Sequence, residues 1–399
     1  MYRRADGRLR MRPAVGAAVG RLGTEGAFAV LARARALEAQ GRDVIHLEIG
    51  EPDFETPSHV SEAGIAAIRA GETHYCQTAG LPLLREAAAS SLAASRGVPI
   101  DAENVLIANG AKPFLFFTVL AACGPGDEVI YPDPGFPIYE SAVRFAGATP
   151  VPLPLREERG FSFDPVELEQ LLSARTRLVI LNAPQNPTGG VIPRADLEQA
   201  AAAIRSTPAW VLTDEVYSRI TYDVEAPSIA SLPGMLERTV LLDGFSKTFA
   251  MTGWRLGYAA VPAELVDPLT RLIVNSTSCV PPFAQLAGVA ALEGSQDAVV
   301  TMVAEFRRRR DFLIPALNAI PGLRCVEPGG AFYAFPNVSA LPLAAEELAD
   351  RLLGEAGVAL LAGSAFGAQG AGHLRISYAS SLDNLEEAVD RIRDFVAAL

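Results

Sequence analysis

The sequence is poor in the features that mark several large classes of protein. It holds only four cysteines, and Cys76, Cys123, Cys279 and Cys325 lie far apart with no Cys-x-x-Cys pair. This spacing favours free thiols in a reducing compartment over a disulfide framework or a zinc site. No apolar run reaches the roughly 18 to 20 residues that a membrane-spanning helix requires. We therefore expect a cytoplasmic protein with no metal site and no membrane segment.

An excess of positive charge is lacking as well. The formal net charge is −12, whereas proteins that bind nucleic acids normally present a basic face. Residues 1–13 do carry five arginines, but the apolar stretch at 14–19 is too short for the apolar core of a signal peptide. We predict a flexible basic arm over residues 1–20 and no nucleic-acid partner.

The rest of the chain has an ordinary globular composition, and its length suits one large domain with a smaller companion. Short apolar runs alternate with helical segments, a pattern typical of an α/β fold with a mainly parallel sheet. The predicted strands are 105–108, 128–131, 149–153, 178–181, 210–213, 239–242 and 257–260. The predicted helices include 28–40, 60–70, 83–95, 196–205, 296–320, 344–356 and 383–398. We expect a large domain over 56–295, flanked by helices, and a smaller α+β domain that combines 21–55 with 296–399.

Unusual polar residues follow five of the predicted strands. They are Asn109 to Lys112, Asp133 to Phe136, Asn182 to Pro187, Asp214 to Tyr217, and Gly244 to Lys247. In open α/β sheets, ligands bind beside the carboxyl ends of the strands. The sequence therefore predicts one site to which all five segments contribute.

The residue types at this edge suit an aldehyde cofactor. The amine of Lys247, at the mouth of an apolar sheet, can have its pKa lowered by desolvation and can then form a Schiff base. Asp214 can keep a pyridine nitrogen protonated, and Tyr217 can donate to a ring oxygen. Arg255 suits bidentate phosphate recognition, and residues 110–112 offer backbone N–H groups at the start of a helix. Taken singly, each residue has an ordinary structural explanation; the ordered set indicates a site.

These residues also carry a family resemblance. Residues 246–258 read SKTFAMTGWRLGY, which closely resembles the lysine signature of class I/II pyridoxal-phosphate-dependent aminotransferases, the aspartate-aminotransferase-like family of fold type I. The resemblance runs from about residue 23 to the end of the chain. Supporting segments are 50–54 (GEPDF), Tyr75 with Gly80, 186–189 (NPTG), 214–217 (DEVY) and 375–378 (RISY).

The resemblance implies a role for each matching residue around pyridoxal 5′-phosphate (PLP). Lys247 is similar to the Schiff-base lysine that carries a proton between the substrate Cα and the cofactor C4′, and Asp214 to the partner of the pyridine nitrogen. Tyr217 and Asn186 resemble the donors to the 3′-oxygen, and Phe136 the aromatic stacked on the ring. Matches to the phosphate-binding set are Gly110, Ala111, Lys112, Ser246 and Arg255.

The resemblance also implies how substrate and partner subunit are bound. Arg375 resembles the guanidinium that grips the substrate α-carboxylate, together with the backbone near Gly50. Tyr75 is similar to a phosphate contact donated across a dimer interface, which implies a homodimer with shared active sites. The chain departs from the common pattern at Gly244, where many relatives have serine, and at Phe136, where tryptophan or tyrosine is commoner.

The substrate side chain is left open by the sequence. Lys112 occupies a position where some bacterial relatives use lysine for the distal carboxylate of dicarboxylic substrates, or it is simply a phosphate-loop residue that faces solvent. Against acidic specificity, Phe28, Phe136, Tyr139 and Phe332 suit a pocket for aromatic or aliphatic side chains. Both interpretations remain open at this point.

The family implies ping-pong transfer of an amino group from an L-amino acid to a 2-oxo acid through Lys247. An alternative is another PLP enzyme on the same fold, such as a β-lyase, an oxidase or a specialised biosynthetic enzyme, since reaction type depends on pocket shape. A PLP-sensing transcription regulator would need a helix-turn-helix domain ahead of the matching region, and residues 1–22 are too few for one.

Overall fold

An eight-stranded sheet forms the centre of the computed structural model, which describes residues 2–3, 9–10 and 16–399. The described strands of this sheet and of the smaller sheets are, in chain order, β1 Tyr2–Arg3, β2 Leu9–Arg10, β3 Ile45–His46, β4 Val105–Ala108, β5 Glu128–Asp133, β6 Thr149–Arg156, β7 Ser162–Phe163, β8 Thr176–Asn182, β9 Trp210–Asp214, β10 Thr239–Gly244, β11 Gly257–Ala260, β12 Tyr333–Ala334, β13 Val358–Ala359, β14 Leu361–Ala362 and β15 Leu374–Ser377. All seven predicted strands are confirmed, and the strands predicted at 105–108 and 257–260 have the predicted bounds.

Helices cover both faces of the sheet. They are α1 Gly26–Glu38, α2 Ser58–Arg69, α3 Pro82–Arg96, α4 Lys112–Ala122, α5 Ile138–Ala146, α6 Pro165–Leu171, α7 Arg194–Arg205, α8 Phe245–Thr248, α9 Ala263–Ser276, α10 Pro282–Glu293, α11 Asp297–Asn318, α12 Ala345–Arg351 and α13 Leu382–Ala397. The chain continues from α12 into a π-helical turn at Leu352–Ala356, so the helix predicted at 344–356 changes its hydrogen bonding halfway. Gly97 and Gly147 end α3 and α5 in the left-handed conformation that glycine adopts without a Cβ penalty.

The strand order of the main sheet is β4-β11-β10-β9-β8-β5-β6-β7. The five central strands from β10 to β6 are parallel, which confirms the predicted sheet type. Strand β11 runs antiparallel between β10 and β4, because the connection from β10 carries only the one-turn helix α8 and returns without a full crossover helix. As a result the carboxyl ends of β4, β5, β8, β9 and β10 lie at the same edge as the start of β11.

Separate hydrophobic cores fill the two faces of the sheet. One contains Phe114 and Leu115 of α4 with Leu269 of α9, and another contains Val60 of α2 with Leu84 of α3. A further core contains Ile45 together with residues of the C-terminal region, among them Leu313 of α11 and Leu385, Val389 and Ile392 of α13. This core supports the predicted association of 21–55 with 296–399, while the domain boundaries remain predictions.

Two further predictions concern the termini and the cysteines. Most of the predicted basic arm, residues 1–20, lies outside the described residues. The four cysteines are free thiols. In the part of the chain that the structure describes, no helix is both long and apolar enough to cross a membrane, and no cluster of three His, Cys, Asp or Glu side chains suits a metal ion.

Gly257 provides a test of how closely β11 packs against the loop after β4. A Cβ at Gly257 would lie 2.4 Å from the backbone nitrogen of Ala111 and 2.5 Å from the carbonyl carbon of Gly110. We expect Gly257→Ala to lower the free energy of unfolding by about 2 kcal/mol, since backbone atoms must move to admit the methyl group. Urea denaturation measures the change.

Gly124→Ala is the matched control, because no described heavy atom lies within 4 Å of a Cβ at that position. It should change the free energy of unfolding by less than about 0.5 kcal/mol. Equal stability of the Gly257→Ala and Gly124→Ala proteins would contradict the close approach of β11 to the loop.

Candidate active site

A cavity of about 500 Å³ opens at the carboxyl edge of the sheet. It brings together side chains from the ends of β8, β9 and β10 with residues from both ends of the chain. The predicted site residues that line it are Phe28, Gly50, Ala111, Lys112, Phe136, Asn186, Asp214, Tyr217, Ser246, Lys247, Arg255 and Arg375. The ends of the parallel strands bring the central lining residues to one edge of the sheet. Phe28 of α1 and Arg375 of β15, which are more than 300 positions apart in the sequence, complete the lining.

Lys247 lies within this cavity, in the short helix α8 that directly follows β10. Its Nζ donates a hydrogen bond to the backbone oxygen of Gly50. Burial lowers the pKa of the amine to about 8, and the positive charges of Arg375, Arg255 and Lys112 act in the same direction against the opposing effect of Glu51. A larger share of the amine is therefore neutral and nucleophilic near neutral pH than for an exposed lysine.

Asp214 ends β9 and is buried beside the same cavity. Tyr139 Oη donates to Asp214 Oδ2 at 2.8 Å, and the backbone nitrogen of Val216 donates to Oδ1 at 3.4 Å. Burial raises the pKa of the carboxyl to about 6, and these two hydrogen bonds partly oppose the rise. Among the described residues this carboxylate has no cationic side-chain partner, so it suits a ligand that brings its own positive charge, such as a protonated pyridine ring.

Arg375 projects from β15 and is almost fully buried. Its Nη1 donates to Asn186 Oδ1 at 3.4 Å, and its Nη2 donates to the backbone oxygen of Glu48. The guanidinium carbon lies 4.8 Å from the ring centroid of Tyr333 and 5.0 Å from that of Phe366. Arg375 Nε has no hydrogen-bond partner among the described residues, so the guanidinium retains donor capacity for a carboxylate.

The loop after β4 forms the third part of the site. Gly110 has φ +90°, and a Cβ there would lie 2.4 Å from Arg255 Nη2, so only glycine leaves room for this guanidinium. Arg255 itself has φ +54°, an uncommon conformation of the kind that concentrates at ligand sites. Helix α4 begins at Lys112, and its N-terminal end together with Arg255 suits the binding of an anion.

This donor set fits pyridoxal phosphate. An amine of lowered pKa, a buried carboxylate and a guanidinium beside a helix N-terminus line one cavity, with the aromatic ring of Phe136 in its wall. These are the groups that the aldehyde, the ring nitrogen, the phosphate and the ring face require.

The structure corrects one predicted wall residue. Phe332 is fully buried in the core with Phe306 and does not line the cavity; its neighbour Tyr333 does. Phe332 lies in the turn before β12 and packs into the core, while Tyr333 begins the strand and faces the cavity. Tyr333 Oη hydrogen-bonds with Tyr217 Oη at 2.8 Å.

Two other predicted residues lie outside the cavity lining. Gly110 stands behind Arg255, as its close approach to that side chain shows. Tyr75 is 91% exposed and does not reach the cavity of its own chain. Its predicted contribution to a neighbouring subunit remains a prediction.

Several lining residues lie outside the predicted strand-end segments, including Glu25, Ala27, Leu115 and Thr252, whereas Asn182 and Val216 belong to two of these segments. Tyr139 was expected to form part of an apolar wall, yet its hydroxyl group also donates a hydrogen bond to Asp214.

The lysine content of the chain also points to the site. The chain has only two lysines among its 34 basic residues, Lys112 and Lys247, and both line the cavity.

Comparison with known proteins identifies aminotransferases as relatives of this chain. The family described as "Aminotransferase class I and II" matches residues 42–392. An "Aspartate aminotransferase" of Pyrococcus abyssi is 42% identical over 355 residues, which cover 88% of this chain and 91% of that protein. An "Aromatic-amino-acid aminotransferase 2" of Thermococcus litoralis is also 42% identical, over 359 residues, 89% of this chain and 92% of that protein.

Solved structures agree with the sequence relatives. The aspartate aminotransferase from Thermus thermophilus, solved with maleate, superposes with a TM-score of 0.92 at 37% identity and covers 96% of this chain and 100% of that chain. Relatives named for acidic and for aromatic substrates are equally similar, so identity alone does not select the substrate. The chain belongs to the class I and II aminotransferase family and is a pyridoxal-phosphate-dependent aminotransferase of fold type I.

Proposed function

We propose that this cavity transfers the amino group of an L-α-amino acid to a 2-oxo acid, with Lys247 and Arg375 as the two groups that act on the substrate. The observation that carries the proposal is the lining of one cavity by the Lys247 amine, the Asp214 carboxylate and the Arg375 guanidinium. Arg375 holds the α-carboxylate through its free donor edge, and the backbone near Gly50 joins it.

PLP supplies an aldehyde that condenses with amines and a cationic ring that withdraws electrons from the substrate Cα. Asp214 holds a proton on the ring nitrogen, and its burial keeps water from competing for that contact. Asn186 and Tyr217 would donate hydrogen bonds to the ring oxygen, and Phe136 would cover one face of the ring. The phosphate is assigned to Gly110, Ala111, Ser246, Arg255 and the backbone N–H of Lys112, so that the Lys112 side chain is left out of this role.

Lys247 has a second role as the base. Its pKa of about 8 lets the amine accept the Cα proton and return it at C4′ near neutral pH. Anchoring of the α-carboxylate on Arg375 restricts the motion of the substrate within the cavity, which favours transfer to this one amine.

We further propose a homodimer in which Tyr75 completes the phosphate site of the partner. The ring of Tyr75 is 91% exposed, and the apolar side chains of Ile68 and Leu83 near it in sequence are each about half exposed. Exposed apolar surface of this kind is typical of a protein interface.

The pKa of Lys247 predicts how cofactor capture depends on pH. With a pKa of about 8, about a tenth of the amine is neutral at pH 7 and about nine-tenths at pH 9. The rate at which the apoprotein captures PLP should therefore rise from about pH 7, pass a midpoint near pH 8 and level off above about pH 9. Stopped-flow absorbance measures the rate. PLP with n-butylamine gives the pH dependence of the free aldehyde as a reference, and a midpoint near that of an ordinary lysine would contradict the burial of Lys247.

Replacement of Lys247 tests its role as base. We expect Lys247→Ala to slow the conversion of any amino acid at least about a thousandfold, because the proton carrier is removed. Added methylamine should restore part of the rate, since a small amine can enter the space that the side chain leaves. The readout is one equivalent of the amine form of the cofactor per site. Release of ammonia or peroxide in its place would contradict transamination and favour a lyase or an oxidase.

Hybrid dimers test the proposed contribution of Tyr75. Tyr75→Ala and Lys247→Ala subunits are each expected to be impaired as homodimers. In a hybrid, one site combines the native Lys247 of one subunit with the native Tyr75 of the other. Mixing should therefore restore activity, up to the level of one native site per hybrid. If Tyr75 acts within its own subunit, no site in the hybrid is intact and mixing will restore nothing.

A further inference from the structure

Lys112 already has an anionic partner within the chain. Its Nζ forms an ion pair with the carboxylate of Glu25, and the same Nζ lies 5.2 Å from the ring centroid of Phe136. All three side chains line the cavity. Lys112 is one of only two lysines in a chain that uses arginine at every other basic position apart from its histidines.

The location of Lys112 explains why an anionic partner stabilises it. It is the first residue of α4, where the helix dipole is positive and a cation is unfavourable. Glu25 is the residue that precedes α1, a position where the helix dipole favours a negative charge. Both helix ends are therefore stabilised by the pair. The two side chains are 43% and 27% exposed, so the pair faces the cavity and does not lie in a core.

The other cationic side chains of the cavity already have proposed partners. Lys247 and Arg255 are assigned to the cofactor, and Arg375 is assigned to the substrate α-carboxylate. Among the described lining residues, Lys112 is the cation left for a second carboxylate. Because Glu25 already neutralises it, a dicarboxylic substrate brings a negative charge that meets no free counter-charge.

The surfaces next to the ion pair are apolar. Ala27, Phe28, Leu115 and Phe136 line the same cavity as Glu25 and Lys112. An uncharged side chain can contact these groups without disturbing the pair, and it gains the burial of its own apolar surface.

We propose that Glu25 determines the substrate class: it occupies Lys112 in place of a substrate's distal carboxylate, so that the site favours amino acids with apolar or aromatic side chains over aspartate and glutamate. The proposal rests on the transamination proposed above. Loss of the Glu25 charge should free Lys112 and shift the preference towards dicarboxylic substrates.

Binding of unreactive acids to the holoenzyme tests this without turnover. Succinate carries a second carboxylate, and 3-phenylpropanoate carries an aromatic ring. By titration calorimetry, the wild-type protein should bind 3-phenylpropanoate more tightly than succinate. Glu25→Gln should tighten succinate binding about tenfold and change 3-phenylpropanoate binding less than about threefold, since only the charged ligand gains a partner.

Glu140→Gln is the matched control. Glu140 pairs with Arg144 on α5 and does not line the cavity, so its replacement removes one negative charge without freeing Lys112. It should leave both dissociation constants unchanged. Equal succinate affinity in the wild-type and Glu25→Gln proteins, or tighter binding of succinate than of 3-phenylpropanoate by the wild type, would overturn the proposal.

Half-reaction kinetics complete the test. Glu25→Gln should raise the ratio of kcat/KM for aspartate to that for phenylalanine, and the rise should disappear in a Lys112→Gln background, because the effect acts through Lys112. A rise that persists in that background would overturn the proposed route. If the wild type converts no amino acid, the proposed function fails, while the succinate titration still decides the role of Glu25.

Discussion

The burial of one amine is the constraint around which this site is arranged. Lys247 lies where the parallel strands end, and desolvation lowers its pKa to about 8. An ammonium in that position is costly, so the amine is partly neutral at the pH where it must react. Three other cations, Arg375, Arg255 and Lys112, line the same cavity and disfavour the charged form further. Arg255 and Arg375, the groups proposed to bind the anionic parts of cofactor and substrate, thereby help to keep the lysine reactive.

The opposite adjustment occurs at Asp214. Burial raises its pKa to about 6, while the hydroxyl group of Tyr139 and the backbone nitrogen of Val216 stabilise the ionised form. A carboxylate held in this way is poorly satisfied until a cation arrives, which is the condition for a strong contact to a protonated ring nitrogen. Glu25 and Lys112 show a third arrangement, in which a cation is neutralised by the chain itself, and this ion pair is the basis of the proposed preference for substrates without a second carboxylate.

Strands and strand ends were predictable because they depend on local pattern. Buried parallel strands read as short apolar runs, and the residues after them must lie at one edge, so Asp214 and Lys247 could be placed together from the sequence. Side-chain direction in the irregular segment around Phe332 and Tyr333 could not be read, since a shift of one residue exchanges the buried side for the site. The pairing of Glu25 with Lys112 could not be predicted either, because it depends on where the fold places the start of α1 relative to the start of α4, and the two residues are 87 positions apart.

Chemical reduction of the holoenzyme tests the central assignment most directly. Borohydride fixes the carbon–nitrogen bond between PLP and the amine that holds it, and peptide mass spectrometry then locates the added group. The chain has only two lysine side chains, and both line the cavity, so the alternatives are Lys247 and Lys112. The structure predicts the added mass on the peptide that contains Lys247 and none on the peptide that contains Lys112. Modification of Lys112, or no covalent attachment in a protein that retains the cofactor, would contradict the account.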